Sequence, residues 1–143
     1  YWFSYIDVSQ TGLGKTITTL YIAWYLQKLY YTSVMIVAPS DSSLNNEDGW
    51  LAHAEEAGIK IKVVSTYTAI RGGQGKLSHP WLIASSQDKT KWKVTKDFTR
   101  LCENGLFLIF DEFHHTKNKS MTHFACAALI REAKKYQKIC RVA

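Results

Sequence analysis

The feature that most restricts how this chain can fold is a regular alternation of two patterns. Short apolar, β-branched runs occur at Tyr5 to Ser9, Ser33 to Ala38, Ile59 to Ser65, Trp81 to Ser85, Leu106 to Phe110 and Lys138 to Ala143. Between them lie longer stretches with helical periodicity. Strands joined through helix-length crossovers pair in parallel, and a parallel sheet needs cover on both faces because its strands are apolar on both. The expectation is therefore an α/β domain of three layers, a mainly parallel sheet with helices on both faces.

The intervening stretches support that expectation. Thr16 to Leu29 holds a single charged residue, Lys28, with Ile17, Leu20, Tyr21 and Trp24 on one stripe and Ile22, Leu26 and Leu29 beside it. A helix of this kind is expected to be buried on much of its circumference. After Pro39, Ser40 or Asp41 can cap a helix carrying Leu44, Leu51 and Ala54, which Gly58 would end. Thr95 to Asn104 reads as a helix that exits at Gly105, and Ser120 can cap the stripe Met121, Phe124, Ala125, Ala128 and Leu129. Gly72 to Lys76 and the polar segment Gln87 to Lys93 break the rhythm and read as loops.

At 143 residues the chain can close one core, so a single domain spanning 1–143 is expected. Its start at Tyr1 and its end in the apolar run Ile139 to Ala143 suggest a fragment truncated at both ends. No apolar run approaches the roughly 20 residues that span a bilayer, which gives no reason to expect a membrane partner. Cys102, Cys126 and Cys140 are odd in number and lack Cys-x-x-Cys spacing, so they suggest neither a disulfide framework nor a zinc ribbon; a reducing intracellular compartment fits them best. His114, His115, His123 and Cys126 match no standard zinc ligand spacing either. The net charge of +6 is compatible with a polyanionic partner and does not by itself require one.

Chemistry concentrates at two places. Gly12-Leu13-Gly14-Lys15-Thr16 follows an expected strand and opens an expected helix. Glycines let successive N–H groups converge on phosphate oxygens, and a helix N-terminus adds its positive dipole end. Lys15 would neutralise β and γ phosphates, and the Thr16 hydroxyl would ligate Mg²⁺. Average residue usage gives this pattern a chance occurrence on the order of 10⁻³ to 10⁻² in a chain of this length. The second place is the strand Leu106 to Phe110, which delivers Asp111 and Glu112 at its C-terminal end. Parallel sheets bind ligands at that edge. Asp111 would hold Mg²⁺ through its water shell, and Glu112 would orient and deprotonate the attacking water.

With Gly12 to Ile17 and Asp111-Glu112-Phe113-His114-His115-Thr116-Lys117-Asn118 in view, the chain resembles the first RecA-like domain of superfamily 2 helicases. Within it the chain is similar to the DExH group that includes the Swi/Snf translocases. Ser9-Gln10-Thr11 departs from the Asp-Glu-Met that Swi/Snf proteins usually carry before the first glycine. The resemblance implies a RecA-like P-loop fold, ATP and Mg²⁺ as cofactors, and hydrolysis coupled to movement on DNA or RNA. It adds Thr11 to the nucleotide-binding residues. It gives His114 the role of coupling nucleotide state to a later motif. Ser40 falls where motif Ia lies, Gly72 and Gly73 at the double-glycine loop, and Ser85 and Ser86 at motif Ib, so these five are expected to touch the nucleic-acid backbone. Small hydroxyl residues and exposed N–H groups at strand ends suit phosphate contacts that read no bases. Lys89, Lys91, Trp92, Lys93 and Lys96 would extend such a surface, with Trp92 as a stacking platform.

The resemblance also implies a second RecA-like lobe in the parent chain that supplies an arginine finger, so the fragment alone is expected to be nearly inactive. Two other readings stay open on the residues alone: a P-loop phosphotransferase or metabolic ATPase, and a nucleotide-dependent scaffold.

Overall fold

The computed structural model describes residues 13–40, 44–47, 49–70, 81–84, 91–111, 121–136 and 139–142. The expected strand Tyr5 to Ser9, the glycine loop at 72–76 and the Ser120 cap lie outside them. The chain runs α1 (Leu13–Tyr30), β1 (Ser33–Ala38), α2 (Trp50–Ala57), β2 (Val63–Thr66), α3 (Tyr67–Ile70), β3 (Leu82–Ala84), β4 (Trp92–Val94), α4 (Lys96–Glu103), β5 (Leu106–Phe110), α5 (Met121–Lys135) and β6 (Cys140–Val142). Four strands form one sheet in the order β2-β1-β5-β6, and every pair in it is parallel.

Side-chain alternation divides the core in two. Val34, Ile36 and Ala38 of β1 join Phe107 and Ile109 of β5 on one face, beneath Leu20 and Ala23 of α1 and Trp50 and Ala54 of α2. Met35 and Val37 join Leu106, Leu108 and Phe110 on the other, against Tyr67, Phe98 and Leu101 and the α5 residues Ala125, Cys126, Ala128 and Leu129. This is the expected three-layer arrangement. Full burial of a Leu, Ile or Phe contributes about 1.5–3 kcal/mol, so these central positions carry much of the stability.

Local signals explain most boundaries. Gly58 ends α2 in the left-handed region at φ 75, its N–H reaching back to the last turn. Thr95 caps α4, its hydroxyl accepting from the Phe98 N–H at 3.3 Å. Gly105, at φ 91, turns the chain from α4 into β5 where an added Cβ would meet the Ile139 carbonyl at 3.4 Å. Cys102, Cys126 and Cys140 are free and buried.

Three expectations need correction. Leu82–Ala84 does not join the parallel sheet; it pairs antiparallel with Trp92–Val94 in a separate two-stranded sheet. The segment read as a loop through Lys93 therefore ends in strand β4. Its Trp92 is half-buried against the core instead of offering an open stacking face, and its indole nitrogen is buried with no hydrogen-bond partner among the described residues. Finally, α1 is not buried on most of its circumference. Leu20 and Ala23 face the sheet and Thr19 is buried beside them in sequence, whereas Ile17, Tyr21, Trp24, Tyr25 and Leu29 are exposed. A flat sheet face covers only one stripe of a helix, and the remainder needs another layer that the described residues do not provide.

Candidate nucleotide site

The C-terminal edge of the parallel sheet gathers the sequence-expected residues that the structure describes. β1 leaves this edge through Pro39 and Ser40, β2 through Tyr67 and β5 through Asp111. Register aligns the exits, with Ala38 opposite Thr66 and Val37 opposite Phe110. The Asp111 N–H donates to the Val37 carbonyl at 2.8 Å and so prolongs the β1–β5 ladder one residue past the strand. Asp111 is thus fixed at its backbone and half-buried.

A residue that the sequence reading missed completes this anchor. The Tyr67 hydroxyl donates to the Asp111 carbonyl at 2.7 Å, and its ring stacks on Phe110 with centroids 6.5 Å apart and planes 13° apart. Tyr67 opens α3, whose start is held by the Thr66 hydroxyl accepting from the Ala69 N–H at 3.1 Å. The β2 exit therefore braces the β5 exit, and one aromatic residue links the two strands that flank β1. Its only sequence signal was position, two residues past the end of an expected strand.

α1 brings the other half of the arrangement to the same edge. Only Tyr31 and Thr32 separate α1 from β1, and Tyr31 takes φ 55, so the chain reverses there. The 18 residues of α1 span about 27 Å and the six of β1 about 20 Å. Running antiparallel over β1, α1 starts at or beyond the β1 exit. Leu13, Gly14, Lys15 and Thr16 form its first turn, where backbone N–H groups have no partner within the helix and the dipole is positive. No acid occupies that turn to neutralise it.

Ser40 is exposed just past β1. Thr11, Gly12, Glu112, His114, Gly72, Gly73, Ser85 and Ser86 lie outside the described residues, as do the side chains of Lys15 and Thr16. In the sequence Ser85 and Ser86 come directly after β3 and before β4. Among the described residues no cluster of His, Cys, Asp and Glu could hold a metal on its own. A hard oxygen ligand at Asp111 fits a cation that takes its remaining ligands from phosphate and water, as Mg²⁺ does.

A three-layer domain on a parallel sheet, with a glycine-bearing helix start and an acid at one edge, is suited to holding a nucleotide at that edge, and the family of the chain makes it a helicase-like ATP-binding module. The chain belongs to the family described as type III restriction enzyme, res subunit, whose model matches residues 4–142. That family has the RecA-like fold, and the sheet order and two-sided core agree with it. No curated protein and no solved structure matches the chain. No helix among the described residues is long and apolar enough to cross a membrane.

Proposed function

We propose that the chain is a single RecA-like lobe that binds Mg-ATP in a nucleic-acid-dependent ATPase, coupling hydrolysis to movement on DNA or RNA. The observation that carries this reading is the shared edge: the first turn of α1 and the anchored Asp111 both lie at the C-terminal end of the parallel sheet. Thr11 to Thr16 would cradle the phosphates, with Lys15 supplying positive charge. Thr16 and Asp111 would hold Mg²⁺, which supplies charge neutralisation at the phosphates. Glu112 would take the proton of the attacking water, and His114 would relay nucleotide state.

Ser40, Gly72, Gly73, Ser85 and Ser86 would contact the nucleic-acid backbone. The spelling Asp111-Glu112-Phe113-His114 supports a DExH subtype close to Swi/Snf. A second lobe in the parent would supply the arginine finger, which is worth about 10³ to 10⁵ in rate. Replacing Lys15 by Ala tests the phosphate site. Titration calorimetry is expected to show Mg-ATP affinity lost while the circular dichroism spectrum is kept. Equal affinity in the two proteins would remove the phosphate loop from the site.

A further inference from the structure

After its first turn α1 carries one charge, Lys28, and no acid, yet the helix is apolar on both sides. One side rests on the sheet through Leu20 and Ala23. On the other, Ile17 is 55% exposed, Tyr21 68%, Trp24 38%, Tyr25 49% and Leu29 53%. Tyr21 and Trp24 stack there, with ring centroids 6.4 Å apart and planes 28° apart. Ile17, Tyr21, Trp24 and Lys28 follow one another at steps of four, three and four, the spacing of a coiled-coil seam. Tyr25 and Leu29 flank it.

We propose that this face is a self-association surface, on which two copies of the chain pack α1 against α1 antiparallel about a two-fold axis between Tyr21 and Trp24. The chemistry of the face selects the occupant. With one cation it has little to hold a polyanion, and with no acid it has nothing to pair a basic partner. An uncharged apolar helix stripe is what it complements, and a second copy presents that stripe. Two-fold packing sets Tyr21 against Trp24 of the other copy and Ile17 against the aliphatic stem of Lys28.

Charge and area both allow it. Each Lys28 lies five to six residues from the axis, so the two ammonium-bearing positions are about 16 Å apart along the helices at about 1.5 Å per residue. That separation exceeds the Debye length of about 8 Å at physiological salt. The five exposed apolar side chains leave roughly 600 Å² on each copy, so at most roughly 1,200 Å² would be buried across the pair. Interfaces of about that size are the smallest that associate specifically, which sets the expected dissociation constant on the order of micromolar or weaker.

The experiment is sedimentation of the 143-residue chain across roughly 5 to 500 µM, a range bracketing that constant. A reversible monomer–dimer equilibrium is expected. Tyr21→Glu should move its midpoint at least tenfold upward and leave the thermal melt unchanged, because the side chain it replaces is mostly in solvent. Orientation is read from disulfide trapping: Ile17→Cys combined with Lys28→Cys should cross-link between copies, and Lys28→Cys alone should not. A chain that stays monomeric throughout overturns the proposal, as does a dimer that Tyr21→Glu leaves intact. A monomer that binds uncharged phosphatidylcholine vesicles through Tyr21 also overturns it and assigns the face to lipid. Cross-linking by Lys28→Cys alone refutes the antiparallel arrangement.

Discussion

Replacing Tyr67 by Phe deletes one hydroxyl and keeps the ring, which isolates the bond that braces Asp111. Tyr67 is 6% exposed and Phe110 1%, so the ring contact and its buried area survive the change. The 2.7 Å bond to the Asp111 carbonyl is lost. A net hydrogen bond contributes about 0.5–1.5 kcal/mol, and a buried partner left bare costs about 1–3. Asp111 is only half-buried, so water can reach the carbonyl and the lower range applies. The expected loss is about 1 to 1.5 kcal/mol, or roughly 3–6 °C in Tm for a domain of this size. Tyr67→Ala also forfeits the stacked ring and should lose about 3–5 kcal/mol. Urea or thermal denaturation followed by circular dichroism measures both. If Tyr67→Phe melts with the parent protein, the hydroxyl does not brace the β5 exit. If it falls as far as Tyr67→Ala, the ring contact has been credited wrongly.

With the proposed second lobe present, Glu112→Gln should preserve ATP binding and abolish turnover, since the amide keeps the shape and loses the base; near-normal steady-state ATPase would remove Glu112 from that role. Thr99 donates to Glu132 at 2.6 Å, and Glu132 is 7% exposed beside Lys135. Thr99→Val should therefore destabilise the fold by about 1–3 kcal/mol, and an unchanged urea midpoint would show that the carboxylate does not depend on that hydroxyl. Burial pushes the Cys126 thiol up from 9.0 to about 12. Above pH 9 the unfolded thiol ionises while the folded one stays protonated, so the unfolded state binds fewer protons and stability falls as pH rises from 9 towards 12. Between pH 8 and 10.5 the stability of the parent protein should drop by about 2 kcal/mol more than that of Cys126→Ala; parallel pH profiles would contradict the burial argument.

Several elements were legible because their causes are local. Ser33–Ala38 and Leu106–Phe110 match the expected strands at both ends, since uninterrupted apolar runs bounded by turns suit only the centre of a parallel sheet. Thr95 and Gly58 act as the caps that their residue types suggest. The glycine-lysine-threonine segment that opens α1 and the acid that follows β5 were placed correctly at a helix start and a strand end, because strand and helix boundaries are set by neighbouring residues.

What the sequence could not determine was which partner each segment would take. Leu82–Ala84 has the composition of a sheet strand, but its edge was claimed by Trp92–Val94 only ten residues on, which turned it antiparallel and set Trp92 half-buried against the core. The apolar residues of α1 outnumber the places on the sheet that can receive them, and periodicity alone cannot choose which stripe is buried when apolar residues lie all around. Tertiary packing chose Thr19, Leu20 and Ala23 and left the aromatic seam outside. Tyr67 gained its role in the same way: the bond to Asp111 spans 44 residues and exists because β2 and β5 leave the sheet on either side of β1. The sequence by itself determined the parallel α/β class and singled out the residues proposed for the nucleotide site, through short-range patterns whose physics is contained in a few neighbouring positions. Only the tertiary structure decided strand order, the buried face of α1 and the brace on Asp111, because each is a choice among long-range contacts that identical local patterns leave equally open.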